Sequence, residues 1–319
     1  MESDMLGNPF DIPGRWYKAA LHVHTTDSDG NSSPRDTVKL YADMGYDLVC
    51  LTDHDGTEHV PESQSDVLVI PGAELGLSGR CDYHLVILGL EKPRRYRPDD
   101  FGSLLQLGRD EKVAILLAHP SWSHLTLPDI MAIDGLSAVE VYNSGCDREV
   151  ARGFSDSHWD ELLDAGRCLW GVAVDDGHVA IDDIGRGWAM LKLRERTRES
   201  LVESLRNGWF YSSTGVAIRK LSVDQRRISI LCDPVARIDF VAGPKPGQGK
   251  VVCSGSGISL IEAAFEIRAD FTGWVRVQCL GADGRRAWTN PLYCEKGTIV
   301  QWSYRPYEWQ RGPQSEICW

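Results

Sequence analysis

Apolar residues in the first two thirds of the chain fall into short runs that break off in polar residues. Leu48–Leu51, Val67–Ile70, Leu85–Leu88, Val113–Leu117, Ala138–Tyr142, Leu169–Val174 and Trp188–Leu193 have the length and content of buried strands, and Ala19-Ala20-Leu21 reads the same way. Between them the spacing turns helical. Ser33 is placed as an N-cap with Pro34 at the first helical position, and Val38, Leu40, Tyr41 and Met44 form an apolar face that ends near Gly45. Leu104 to Glu111, Ser157 to Ala165 and Thr197 to Asn207 repeat that pattern. Strands alternating with helices predict a parallel sheet.

The pattern changes near residue 210. Helical spacing stops after Phe210 to Gly215, and short alternating segments follow: Ile228–Cys232, Arg237–Val241, Leu260–Ile267, Trp274–Cys279 and Leu292–Cys294. Turn signals such as Gly243-Pro244, Pro246-Gly247, Asp283-Gly284 and Asn290-Pro291 separate them. Residues 215–319 are therefore expected to form a small all-β sandwich, behind an α/β domain at 1–214.

The polar ends of the strands carry the candidate chemistry. His22 and His24, at i and i+2, point to one side of an extended segment. Asp53-His54-Asp55, Glu74, His84, His119 and Asp175-Asp176-Gly177-His178 each border another apolar run. Six of the nine histidines sit at such edges; surface histidines would scatter, and core histidines would lie inside the runs. Imidazole is a common ligand for zinc, iron and manganese. Ligands spread over several strand ends predict a barrel with its site on that face, whereas an open doubly wound sheet would gather its site at one switch point.

Composition narrows the function classes. The 319 residues suit two domains, and a net charge of -12 disfavours broad binding to nucleic acid or anionic membrane. A small phosphorylated substrate stays open, because metal charge dominates locally. No apolar run reaches transmembrane length, Met1 to Arg15 lacks a signal-peptide pattern, and the nine cysteines are scattered without a C-x-x-C. A cytoplasmic protein with reduced thiols is expected, with a homo-oligomer as an option. Cys253-Ser254-Gly255-Ser256-Gly257 matches G-x-S-x-G but lacks a strand-turn-helix context and reads as a turn. No Walker or dinucleotide fingerprint is present.

In order and spacing, His22-Val23-His24, Ser28-Asp29-Gly30, Thr52-Asp53-His54-Asp55, Glu74, His84, His119-Pro120 and Asp176-Gly177-His178 resemble the successive motifs of the PHP (polymerase and histidinol phosphatase) superfamily. Gly45-Tyr46-Asp47, Glu140 to Asn143, His158 to Leu163, Gly171 to Asp176, Phe210 to Gly215 and Ala287 to Pro291 are similar to its carbaryl-hydrolase-like branch. The resemblance implies a distorted (β/α)7 TIM-like barrel and two or three divalent metals, manganese, iron or zinc. It places His22, His24, Glu74 and Asp176 on a first metal. Glu74 bridges to a second held by His84 and His119, and Asp29, His54 and His178 hold a third.

Asp53, Asp55 and Asp175 are expected to orient imidazoles. Asp29 is preferred to Asp27 for its Ser-Asp-Gly context, and Asp176 to Asp175 for the Asp-x-His spacing. Asp156-Ser157-His158 reads as helix capping, and His59 and His124 as loop residues. Asn143, closing a strand, faces the same mouth as a substrate-binding candidate. Arg186 either binds phosphate oxygens or pairs with Asp182 or Asp183. The expected activity is hydrolysis of a small phosphoester by a metal-bridging hydroxide, with Glu74, His54 and His178 at the reacting centre. Hydrolysis of a carboxylic ester, carbamate or amide, or a non-enzymatic metal-stabilised domain, are the alternatives.

Overall fold

The computed structural model describes residues 8–63, 66–77, 82–97, 101–110, 112–255 and 258–301. Glu111, Ser256 and Gly257, in the predicted second helix and the G-x-S-x-G match, lie outside them. Nine strands make the first part: β1 (Arg15–Ala20), β2 (Leu48–Leu51), β3 (Leu68–Leu77), β4 (Tyr83–Leu88), β5 (Ala114–Leu117), β6 (Ala138–Asn143), β7 (Trp170–Val174), β8 (Trp188–Leu193) and β9 (Phe210–Ser213). Six helices accompany them: α1 (Pro34–Asp43), α2 (Phe101–Arg109), α3 (Leu127–Met131), α4 (Ser144–Val150), α5 (Asp156–Asp164) and α6 (Arg198–Asn207). Helix α1 starts as its sequence dictates, with the Ser33 hydroxyl accepting the Asp36 N–H at 3.2 Å and Pro34 following.

The sheet is mixed, not parallel. The pairs β1–β2, β2–β3, β5–β6 and β6–β7 are parallel, while β4 runs antiparallel to both β3 and β5. Only residues 78–82 separate β3 from β4, too short a link for a crossover helix, so a hairpin forms. This has a functional consequence: the start of β4, not its end, lies on the face where the parallel strands end, and it brings His84 there.

A closed barrel does not form. The strand order runs β9-β8-β1-β2-β3-β4-β5-β6-β7, and among the described residues no ladder joins β7 back to β1. The sheet nevertheless curls. Past the ends of β1 and β7, Val23 and Gly177 form a lone parallel bridge, and His24 N–H donates to Gly177 O at 3.0 Å. Lower down, the buried Ser212 hydroxyl of β9 accepts Ala173 N–H at 3.0 Å and donates to Gly171 O at 2.8 Å. Side-chain bonds thus replace a ladder along this seam. Ala19, Leu48, Ile70, Val86, Leu116, Ala138, Val172 and Ala189, one from each of β1 to β8, meet in a fully buried cluster floored by Leu201 and Leu205 of α6.

The same sheet continues through β9 into β16 (Arg286–Thr289), β15 (Gly273–Leu280), β12 (Arg237–Gly243) and β13 (Lys250–Cys253). A second sheet, β10 (Ile218–Asp224), β11 (Arg227–Val235) and β14 (Leu260–Glu266), packs over it around Ile228, Ile230, Ile238, Phe240, Val275 and Val277. The two sheets form a two-layer β arrangement whose larger layer is continuous with the sheet of the first part, with β17 (Leu292–Glu295) and β18 (Thr298–Gln301) at its side. Trp274 and Trp288 reach back into the core under β3 to β7. The described cysteines are all unpaired thiols, and among the described residues no helix is long and apolar enough to cross a membrane.

Candidate metal centre

Each strand end delivers its predicted side chain to one point. His22 and His24 follow β1, His54 follows β2, Glu74 lies within β3, His84 opens β4, His119 follows β5, and Asp176 and His178 follow β7. Asp29 comes from the loop after His24. His119 and Asp176 have φ of 25° and 52°. Such backbone costs about 1–3 kcal/mol per residue and persists only where the surroundings over-determine it.

Glu74 is the centre. Its Oε1 lies 2.7 Å from His84 Nδ1 and 3.3 Å from His119 Nε2. Its Oε2 lies 3.2 Å from His22 Nε2, 3.1 Å from His24 Nε2 and 3.2 Å from His54 Nδ1. Asp176 Oδ1 is 3.2 Å from His22 Nε2 and 3.1 Å from His24 Nε2. Asp29 Oδ2 is 3.5 Å from both His54 Nε2 and His178 Nε2. The ten-residue length of β3 makes this possible: its first half pairs with β2, and its second half, carrying Glu74, pairs with β4.

Proton assignment shows what the deep part of this cluster fits. His22 Nδ1 faces Glu140 Oε1 at 2.7 Å, and His24 Nδ1 faces Asp29 Oδ1 at 3.2 Å. Carboxylates only accept, so both Nδ1 atoms carry the proton, an assignment inferred from the bonding network. Both Nε2 atoms then present lone pairs, only 3.1 Å apart. Glu74 Oε2 and Asp176 Oδ1 present lone pairs to the same point, and Asp176 Oδ1 is buried without a hydrogen bond. Four buried acceptors converging without a donor suit a cation. Two further sets have donor atoms as closely grouped, His24-Asp29-His178 and His54-Glu74-His84, and a third joins His119 and Cys146 to Asp176.

The field agrees. Burial pushes the His22 imidazole down, but Asp176, Glu74 and Glu140 outweigh it and hold it well above its ordinary value. Burial pushes Glu74 up, but His22 and His119 outweigh it and hold it well below the carboxylate range. A proton or a metal cation would compete for the Nε2 lone pairs of His22 and His24, and the surrounding acids favour positive charge there in either form. Exposure divides the cluster in two. His22, His24, Glu74 and His119 are buried, whereas the side chains of Asp29, His54 and His178 are 53%, 37% and 26% exposed and form a rim.

Several expected supporting roles fall to other residues. Asp53, Asp55 and Asp175 touch no imidazole among the described contacts. Asp53 accepts Thr25 N–H at 2.7 Å, the Ser28 hydroxyl at 2.7 Å and the Thr57 hydroxyl at 2.8 Å, fixing the turn after His24. Asp175 accepts the N–H groups of Gly185, Arg186 and Gly187, and burial pushes its carboxyl up to about 6 against those donors. The imidazole-orienting acid is Glu140, fully buried on β6: Oε1 takes His22, and Oε2 takes His119 N–H and Asn143 Nδ2, both at 2.8 Å. An acid inside the apolar run Ala138–Tyr142 was the available signal.

Asn143 turns inward and is not among the residues lining the cleft. It is fully buried, donates to Glu140 and Asp176, and accepts Cys146 N–H as the N-cap of α4. Arg186 pairs with Asp182, the second of its two expected roles, and does not line the cleft. Asp27 binds His59 at 2.8 Å, and His158 Nε2 bonds Leu125 O at 3.0 Å; neither joins the centre. The candidate ligands other than His22 line an open cleft of about 400 Å³ whose remaining wall includes Trp122, Cys146, Glu149, Ile181 and Asp183.

No family model and no curated protein sequence matches the chain. Among solved structures, it is similar to a two-domain protein from Bacteroides vulgatus described as containing a predicted PHP-like metal-dependent phosphoesterase. The TM-score is 0.51 at 15% identity, over 89% of this chain and 98% of that one. An amidohydrolase from Chromobacterium violaceum, with bound sulfate and no metal, covers 50% of this chain and 87% of its own at a TM-score of 0.36 and 15% identity. At this identity the first likeness shows a shared fold.

Proposed function

We propose that this protein is a divalent-metal-dependent hydrolase of the PHP type, cleaving a phosphoester of a small substrate. One observation carries the reading: the lone pairs of His22, His24, Glu74 and Asp176 converge without a donor, beside two neighbouring sets that share Glu74 or His24 and open to a cleft. A structural metal would be closed off by its ligands, whereas this rim is open. The fold shared with the two-domain PHP-like protein supports the same class.

His22, His24, Glu74 and Asp176 would hold one cation, and Glu74 with His84 and His119 a second. Asp29, His54 and His178 would hold a third. When bound, such cations polarise the electrophile and lower the pKa of water toward 7. The chain's own groups do the rest. Glu140 keeps His22 oriented. The Ser123 hydroxyl, 3.1 Å from His119 Nδ1, does the same for His119. If only two cations bind, His54 Nε2 or His178 Nε2, at the open rim, is placed to carry a proton to the leaving oxygen.

A second reading, hydrolysis of a carboxylic ester, carbamate or amide, is favoured by the cleft wall. Among the described residues lining it there is no Lys or Arg to pair with phosphate. It also fits the likeness to the carbaryl-hydrolase-like branch seen in the motifs.

Chelation followed by addition of Mn²⁺, Fe²⁺ or Zn²⁺ tests the class, read on aryl phosphomonoesters, phosphodiesters, esters and carbamates. Loss and recovery of phosphoester turnover is expected. Full activity in protein free of transition metal would refute the class, and turnover confined to carboxyl substrates would select the second reading. A phosphoester opened in ¹⁸O-water should carry the label in the released phosphate, with inverted configuration at phosphorus.

A further inference from the structure

We propose that the wall of the cleft is a subsite for a positively charged, partly apolar group of the substrate, an alkylammonium, carried next to the scissile bond. The inference rests on the hydrolase reading above and adds the class of group it accepts.

Four side chains carry it. Trp122 is half-buried, its ring 5.0 Å from the His119 ring and 5.9 Å from that of His84, so packing against two candidate ligands fixes the indole beside the reacting centre. Ile181, on the same wall, is 45% exposed, a large apolar side chain that the core does not use. Asp183 is 1% exposed; Oδ2 accepts His178 N–H at 2.8 Å, and Oδ1 has no protein partner. Glu149 stands exposed on α4 and lines the cleft without an ion pair among the described residues.

An aromatic ring, an aliphatic side chain and two carboxylates, with no Lys or Arg among the described lining residues, suit one ligand chemistry. An alkylammonium gains from the indole quadrupole and from both acids while its methyl groups cover Ile181. A second phosphate or a carboxylate at this position would meet two like charges with no Lys or Arg among the described lining residues beside them. The reacting group itself is anchored by the centre, so the selection acts on the non-reacting part of the molecule.

The test uses the full-length, metal-loaded protein and three phosphomonoesters that differ only in that part: 2-(trimethylammonio)ethyl, the isosteric 3,3-dimethylbutyl and 2-carboxyethyl. The matching acetate esters serve if the second reading holds. The ammonium ester should exceed its neutral isostere in kcat/KM by roughly five- to tenfold, the scale of a partly desolvated cation–π contact, and the carboxylate should be slowest. Glu149→Gln and Trp122→Leu should each bring the ammonium-to-neutral ratio toward one, a ratio read within a single variant and so independent of its overall rate. Equal or better use of the neutral isostere by the unaltered protein would overturn the proposal.

If no ester of any kind is turned over, the hydrolase reading fails, and the subsite is read by calorimetric titration. Tighter binding of (2-hydroxyethyl)trimethylammonium than of 3,3-dimethylbutanol, lost in Glu149→Gln, would uphold the subsite. Equal binding, or binding of neither, would overturn it.

Discussion

At the scale of single residues, Glu74 and Glu140 do different work from within the same buried cluster. Glu74 faces five imidazoles within 3.3 Å, so its charge would hold neighbouring cations together. Glu74→Gln keeps the shape and removes that charge. Metal stoichiometry should fall, and turnover should drop by at least the roughly 10–100-fold typical of metal-supporting residues. Elemental analysis beside initial rates checks both. Glu140 would touch no cation and acts through His22, His119 N–H and Asn143. Glu140→Gln keeps one acceptor but turns an NH2 toward either His22 Nδ1 or the His119 N–H and Asn143 Nδ2 donors, so it should weaken metal affinity by about 10–100-fold and lower the urea midpoint less than removal of the whole side chain. Glu140→Ala orphans three buried donors, and each costs about 1–3 kcal/mol, so it should lower the urea midpoint further. Chelator competition and urea titration separate the two outcomes.

At the scale of elements, the curl of the sheet decides whether these side chains meet. The antiparallel hairpin β3–β4 puts Glu74 and His84 on adjacent strands, with Gly76 opposite His84 in register. The opposite flank is joined without a ladder, with the Val23–Gly177 bridge and the Ser212 hydroxyl among its links. Ser212→Ala leaves Ala173 N–H and Gly171 O without this partner in a buried seam. A destabilisation of about 1–3 kcal/mol is expected, read as a lower urea midpoint at unchanged slope. Because Asp176 and His178 follow directly after β7, metal affinity should weaken with it. An unchanged midpoint would mean that the seam is held by packing alone.

At the scale of the whole molecule, the C-terminal β layers complete the core behind the site. Strand β16 pairs with β9, Trp288 Nε1 donates to Asp156 at 2.8 Å, and Trp274 Nε1 donates to Asp164 at 2.9 Å, both acids on α5. Buried Arg276 of β15 grips Asp160 through two bonds of 2.7 and 2.9 Å. Two tryptophans burying roughly 150–250 Å² each, at about 25 cal/mol per Å², represent up to roughly 8–12 kcal/mol. That is the size of a typical domain's total stability of about 5–15 kcal/mol. A fragment ending at Thr214 should therefore lack a cooperative thermal transition and bind a hydrophobic dye. A fragment that melts cooperatively with its full metal complement would show that the first part stands alone.

Strand positions and most of the candidate centre were legible because they are local. Apolar runs mark β2, β5, β6 and β7 closely, and His22, His24, His54, His119 and Asp176 sit within a few residues of strand ends, where the backbone alone decides which face they join. The direction of β4 was legible too, in the short link at 78–82, but a helix–strand rhythm read over the whole chain masks it. Tertiary structure decided the rest. Whether the sheet closes depends on distant partners such as Ser212 and Gly171, 41 residues apart. Glu140 acquires its role from His22, 118 residues away, and Asn143 is drawn inward by Asp176 rather than outward to substrate. A sequence specifies which residues are apolar and where strands stop. Which buried carboxylate meets which imidazole follows only once the strands have curled together.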